Sequence, residues 1–363
     1  MATQTVAVLL SGLKNVFETL LIFCNTMTSL LSRRCFLGTT AAAVTSVGLL
    51  AENRFSSAQT AAAQTVTATP FPSQIYKARI IDTPTDTICE QWKAAGFAGM
   101  EVSNWNVSPA VARQTRQLVE KYDLRIHSVM RGWTNFNDPA KYEADIESVK
   151  TALRTASAYG ADTVLLVPCR IGGMKMPEAW DFDIDFDPKT LKVKTVAEGD
   201  NSVYADYIAA QNLATESSIR AVESLIPVAA YEGVRIAIEN VWNNLWCTPK
   251  FFAAFCQYFN HPWVGCYFDL GNHTKYARCE EWIKELGNSI VKLHIKGFKV
   301  KEVKGKLGGG PGDWAKIDQA SIDWKSVRKL LSDVRYNGWM SIEENGYSDA
   351  EYSKILDKII AGE

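Results

Sequence analysis

Histidine is scarce in this chain: 363 residues contain four, His127, His261, His273 and His294. A site for metal binding or proton transfer must therefore lean on carboxylates. The eight cysteines include no Cys-x-x-Cys pair, which argues against a zinc knuckle. Basic excess is absent as well, with 39 Lys and Arg against 40 Asp and Glu and a formal net charge of −1. Nothing is left over to neutralise a phosphate backbone, so nucleic acid is not expected as a partner. No Gly-x-Gly-x-x-Gly follows a candidate strand and opens a helix, so a doubly wound dinucleotide-binding sheet is the weaker architecture. The run Gly308-Gly309-Gly310-Pro311-Gly312 has no Gly-Lys-Ser/Thr after it and reads as a flexible rim loop rather than a phosphate loop.

What is present is the composition of a globular protein, 22% charged and 47% hydrophobic. Aromatic residues are plentiful, with 11 Trp, 13 Tyr and 15 Phe, a level that suits sugar pockets as well as a Trp-rich core. Six cysteines (Cys89, Cys169, Cys247, Cys256, Cys266 and Cys279) are scattered through the body. They are expected as buried thiols, since a chain this long needs no disulfide scaffold.

The N-terminal segment reads as a leader. Ser32-Arg33-Arg34-Cys35-Phe36-Leu37-Gly38 precedes a weakly apolar run from Thr39 to Ala51 and a small-residue stretch containing Ala61-Ala62-Ala63. This order resembles a bacterial twin-arginine export signal centred on Arg33 and Arg34. The apolar run is too short and too rich in hydroxyls for a spanning helix, which needs about 20 strongly apolar residues. Met27 opens a leader of ordinary shape and is a candidate true start. Residues 1–63 are accordingly assigned to an N-terminal extension and signal, 64–74 to a linker, and 75–363 to a single domain. The implied destination is the periplasm or cell envelope, with the twin-arginine translocase as export partner.

Eight short β-rich runs follow, at 75–81, 99–102, 125–129, 163–168, 235–239, 264–269, 290–295 and 339–343, each leading to a helical pattern. Strands alternating with helices predict a parallel sheet, and eight such units predict an α/β fold of the (β/α)8 barrel type. Two insertions break the rhythm. Residues 170–201 hold the acidic run Asp181-Phe182-Asp183-Ile184-Asp185-Phe186-Asp187, whose alternation has strand period and predicts a solvated hairpin over the barrel mouth. A calcium loop would need the Gly and terminal Glu of an EF-hand, which are missing. Residues 297–317 form the second insertion. Both follow strands and so belong to the C-terminal face, where barrels of this type build their sites.

The last four runs each end on a polar residue after an apolar stretch: Glu239, Asp269, His294 and Glu343. Charged groups at those positions point into the barrel mouth. Three converging carboxylates repel one another unless a cation sits among them. Two glutamates, one aspartate and one imidazole suit a hard or borderline divalent ion.

The segments Glu239-Asn-Val-Trp242-Asn-Asn, Tyr-Phe-Asp269-Leu-Gly-Asn272, Leu-His294-Ile-Lys296 and Gly-Trp-Met-Ser-Ile-Glu343, with Ala-Gly-Phe-Ala-Gly-Met-Glu101 upstream, resemble the xylose isomerase-like TIM-barrel superfamily. The branch they resemble most is that of the sugar phosphate isomerases and epimerases. The resemblance implies one divalent metal on Glu239, Asp269, His294 and Glu343, with Mn²⁺ placed first and Mg²⁺, Co²⁺ or Zn²⁺ as alternatives. It implies that Glu239 and Glu343 act as acid and base on opposite sides of the substrate. It also implies a substrate pocket containing Glu101, His127 at the end of the third strand, Trp242, Asn272 with His273 beside it, and Lys296, where several members carry an arginine nearby. Gly297 stands where members often have aspartate. Glu344 is expected to face outward by strand alternation.

The expected activity is that of an exported, metal-dependent sugar isomerase or epimerase working by proton transfer through a metal-stabilised enediolate of a ketose or keto-sugar. Phosphorylated sugars are mainly cytosolic, so a free sugar or keto-glycoside is the expected substrate. Alternatives are a dehydratase or lyase using the same site, and a non-catalytic exported sugar-binding barrel. A DNA-repair endonuclease of the same fold would need more histidines and a basic face, and a structural envelope protein would not need carboxylates at four strand ends. Related barrels dimerise, which makes a homodimer an expectation.

Overall fold

In chain order the strands are β1 (Ile75–Ile81), β2 (Gly99–Val102), β3 (Arg125–Trp133), β4 (Thr163–Val167), β5 (Asp185–Phe186), β6 (Val193–Thr195), β7 (Arg235–Glu239), β8 (Val264–Asp269), β9 (Ile290–Ile295), β10 (Gly297–Val300), β11 (Gly312–Ala315) and β12 (Gly338–Ile342). Eight of them close into an all-parallel barrel in the spatial order β1-β12-β9-β8-β7-β4-β3-β2. This computed structural model describes residues 71–363; the leader expected over residues 1–63, with Met27, Arg33 and Arg34, lies outside the described residues.

The helices are α1 (Asp86–Ala95), α2 (Pro109–Lys121), α3 (Tyr142–Tyr159), α4 (Ala205–Glu232), α5 (Pro249–Tyr258), α6 (Leu270–His273), α7 (Cys279–Leu286), α8 (Trp324–Asp333) and α9 (Asp349–Ala361). Local chemistry starts several of them. Thr85 accepts from the Ile88 amide at 3.3 Å, and Ser348 and Glu351 form a reciprocal capping box at the head of α9. Strands covered on both faces should read as apolar runs, and β4, Thr-Val-Leu-Leu-Val, is buried throughout. Ile236, Ile238, Phe268, Leu293, Met340 and Ile342 are buried in the large core cluster, while Leu165, Val167, Ala237 and Tyr267 form a small separate one. Residues two apart share a face, so the Tyr267 face also carries Asp269, and the Ser341 face also carries Glu343. The six cysteines of the body are buried and unpaired. Among the described residues no helix is long and apolar enough to cross a membrane.

The two insertions are both antiparallel ribbons. In the first, β5 pairs with β6. One face of the acidic run is not solvated: Phe186 packs on Phe251 at 4.7 Å between ring centres, and Leu191, Val193 and Val196 are buried beside it. Asp185 stays outside and pairs with Lys194. In the second, β10 pairs with β11. The expected flexible rim loop at 308–312 is instead hydrogen-bonded structure: Gly308 bridges to Ala277, the Gly310 amide donates to Lys275, and Gly312 begins β11. Gly297 explains the missing aspartate after His-x-Lys. A Cβ there would lie 2.5 Å from the carbonyl oxygens of both Ala315 and Lys316, so only glycine lets the ribbon fold back at this point.

Candidate metal centre

The barrel ends bring four side chains together. Glu239 closes β7, Asp269 closes β8, His294 lies next to the end of β9, and Glu343 follows β12, its amide donating to the Ile295 carbonyl. Parallel register sets Asp269 opposite His294 and His294 opposite Ser341. His294 Nδ1 is 3.1 Å from Glu239 Oε1, 3.1 Å from Glu343 Oε2 and 3.9 Å from Asp269 Oδ2. One ligand atom from each residue falls within 4.8 Å of every other. Asp269 serves two purposes: Oδ1 accepts from the Asn272 amide at 2.7 Å and caps α6, which leaves Oδ2 free to face the cluster. Gly271 allows this approach, because a Cβ there would lie 2.5 Å from Lys296 Cγ.

These residues fit a divalent cation. Asp269 Oδ2 is buried with no hydrogen-bond partner, although the Lys296 ammonium lies 2.9 Å from it. Lys296 also donates to Glu343 Oε2 at 2.8 Å, so its charge sits inside the acidic cluster rather than in an outer pocket. Burial pushes the Asp269 carboxyl up to about 7 despite Lys296, and burial likewise raises Glu239. Burial opposes a charged His294, yet Glu101 and Glu343 outweigh it and hold the imidazole well above its ordinary value. Burial also works against the Glu343 charge, but His294 and Lys296 keep its carboxyl below the usual range. A three-carboxylate site that two cations only partly balance is one a divalent ion completes, replacing a proton on Nδ1.

Below the cluster lies a polar floor that orients it. Glu101 on β2 takes a contact from His294 Nε2 at 2.6 Å and a hydrogen bond from the Tyr267 hydroxyl at 2.9 Å, both on Oε2. Since Tyr267 donates to this oxygen, it acts as an acceptor for His294 Nε2–H, which turns Nδ1 toward the carboxylates. Tyr267 further reaches Ser128 at 3.3 Å and Ser341 at 3.5 Å, and Ser341 meets His127 Nε2 at 2.9 Å. Tyr267, Ser128 and Ser341 escaped the sequence reading. Their signal was available for two of them: Tyr267 and Ser341 are polar residues two positions before a residue of the cluster, on the same face.

Three residues assigned to the substrate pocket lie elsewhere. Glu101 is fully buried, with Oε2 2.6 Å from His294 Nε2. His127 is not at a strand end, because β3 continues past a bulge to Trp133 in register with β4. It sits near the start of β3, stacked on Trp339 at 4.6 Å, and burial lowers its pKa well below the ordinary value. His273 donates from Nδ1 to the Asp269 carbonyl at 2.6 Å and packs among Phe252, Phe268 and Trp282, behind β8. Asn272 and Trp242 do adjoin the cluster, the Trp242 Nε1–H donating to the Asn272 carbonyl at 2.7 Å. Glu344 faces away from it and accepts from the Gly297 and Ile317 amides, pinning the second ribbon. His261 accepts from the Trp263 amide on the connection before β8, away from the four clustered residues.

A closed parallel barrel carrying this acidic cluster at its C-terminal mouth defines the class. The chain belongs to the xylose isomerase-like TIM barrel family, whose pattern matches residues 89–359. It is 22% identical over 260 residues to an uncharacterised protein of Methanocaldococcus jannaschii, covering 69% of this chain and 75% of that one. Its fold is similar to a D-tagatose 3-epimerase-like protein (TM-score 0.59, 17% identity, 79% of this chain and 97% of the other). It is also similar to the 3-keto-D-glucoside 4-epimerase from E. coli (TM-score 0.54, 11% identity, 79% and 99%).

Proposed function

We propose that this protein is a metal-dependent sugar isomerase or epimerase acting on a free ketose or keto-sugar by proton transfer. The observation that carries the reading is the placement of two glutamates, one closing β7 and one just after β12, flanking Asp269 and His294, each 3.1 Å from the same imidazole nitrogen. Glu239, Asp269, His294 and Glu343 would hold the ion. A divalent metal held there would supply Lewis acidity, making a C–H next to a bound carbonyl more acidic. One glutamate then removes that proton. The other, itself protonated, delivers its own proton on the opposite face, giving an epimer, or to the adjacent carbon, giving an isomer, and the two glutamates exchange their protons with solvent between turnovers. Lys296, already within reach of Asp269 and Glu343, donates to a substrate oxygen beside them. The epimerase names of structures similar in fold agree with a small carbohydrate as substrate.

The test is incubation of Mn²⁺-loaded protein with free ketohexoses and 3-keto-glucosides in D₂O, followed by NMR. Deuterium at one substrate carbon, with a new epimer or isomer, is the expected result. Loss of water instead moves the protein to the lyases, and binding without any exchange leaves a sugar-binding barrel. The substrate would be met outside the cytoplasm if the leader works as proposed. Replacing Arg33 and Arg34 together by Lys is then expected to retain the protein in the cytoplasm, and unchanged export in fractionated cells would end that reading.

A further inference from the structure

Lys296 follows β9, and its ammonium lies 2.9 Å from Asp269 Oδ2 and 2.8 Å from Glu343 Oε2. Both carboxylates belong to the four-residue cluster. Once a divalent ion engages them, their hold on the ammonium loosens and the like charges repel. A third contact does not involve the cluster: the ammonium lies over the ring of Trp314, 5.3 Å from its centre. That distance is within the range of a cation–π attraction.

The second ribbon builds this contact. Gly297 turns the chain back directly after Lys296, and β11 returns antiparallel to β10 with Trp314 opposite Phe298. Phe298 is buried and meets the Trp314 ring edge-on at 5.6 Å between ring centres. Trp242 stacks on Trp314 at 4.7 Å and 19° between planes. Trp242 is fixed in turn: its Nε1–H donates to the Asn272 carbonyl, and the Lys275 ammonium lies 3.8 Å from its ring centre. Trp180 and Phe182 of the first insertion share a pocket of about 380 Å³ with Trp242 and Phe298. Trp314 itself stays 50% exposed, so its ring can be exchanged without opening a cavity in the core.

We propose that Trp314 is a positioning residue. Its ring keeps the Lys296 ammonium beside the cluster when a divalent ion engages Asp269 and Glu343, so the amine stays where it can donate to a substrate oxygen. This rests on the metal reading of the cluster and on the donor role of Lys296, and it gives the second ribbon a part in the site.

The test is NMR of protein whose lysines carry ¹³C at Cε, with Lys296→Arg identifying the Lys296 signal by its loss. A held lysine shows two distinct Hε signals, and a freely rotating one shows a single merged signal. The parent protein is expected to keep two signals, shifted upfield by the ring, before and after saturation with diamagnetic Zn²⁺. Trp314→Leu keeps apolar bulk without an aromatic face. It should show two signals without Zn²⁺ and one merged signal with it, while Zn²⁺ content and Tm stay as in the parent. Trp314→Phe, of similar size but aromatic, should keep two signals in Zn²⁺. Merging in the Zn²⁺-loaded parent, two signals in Zn²⁺-loaded Trp314→Leu, or identical behaviour of the Leu and Phe variants overturns the proposal while the metal reading stands. No Zn²⁺ bound to the parent protein, by elemental analysis, removes the metal reading and this inference with it. None of these measurements needs turnover, so absent deuterium exchange removes proton transfer alone.

Discussion

Replacing Glu239 or Glu343 by Gln is expected to cut turnover by about 10²–10⁴-fold with the fold retained. Each carboxylate approaches His294 Nδ1 to 3.1 Å, so each is both a candidate ligand and within reach of a substrate held among the four residues. The amide keeps an oxygen ligand and removes the proton acceptor, so some metal remains while proton transfer is lost. The rate of solvent deuterium exchange into substrate, measured beside metal content, separates the two losses. Glu344→Gln is the comparison. Its oxygens accept from the Gly297 and Ile317 amides, and glutamine still offers one acceptor, so the variant should lose little turnover. A Glu344→Gln protein as inactive as Glu343→Gln would show that the eighth barrel strand presents the wrong glutamate to the cluster.

Metal affinity should depend on Glu101, a residue that touches no proposed ligand except His294. Glu101→Ala leaves the His294 and Tyr267 donors without their shared acceptor and is expected to weaken metal binding by about 10–100-fold, as loss of a ligand's supporting partner generally does. Glu101→Gln should weaken it less. Both hydrogen bonds fall on Oε2, so an amide oriented with its oxygen toward His294 keeps both bonds, at the cost of the charge and of an NH2 placed where Oε1 is buried without a partner. His294→Ala should abolish tight binding, and His261→Ala should leave it unchanged. Elemental analysis and calorimetric titration with Mn²⁺ give the four values. Parent-like affinity in Glu101→Ala would mean that the imidazole is held by packing against Tyr267, whose ring centre lies 4.4 Å away, and not by the carboxylate.

The eight barrel strands were legible because each is a short apolar run between helical patterns, and that alternation depends only on neighbours in sequence. The four converging residues were legible for the same reason: a polar group closing an apolar run must leave the core at the mouth. Errors arose where a side chain's surroundings come from distant strands. His127 was read as a rim residue because its strand was ended at residue 129, and the bulge that carries β3 on to Trp133 is dictated by pairing with β4. Glu101 and His273 are polar residues in the right segments, but their partners lie 193 residues away in His294 and on the helices behind β8 respectively. The acidic ribbon followed its strand period, yet which face was buried depended on Phe251 lying underneath.

By itself, then, the sequence determined the barrel, the strand ends and the donor types, since periodicity and residue chemistry are local properties. Only the tertiary structure decided which of those donors meet, which polar residues orient them from below, and that two insertions far apart in the chain share an aromatic pocket. Those facts depend on closure of the barrel, which brings Glu101 of β2 against His294 of β9 and the second ribbon beside Trp242, and no local pattern encodes such distances.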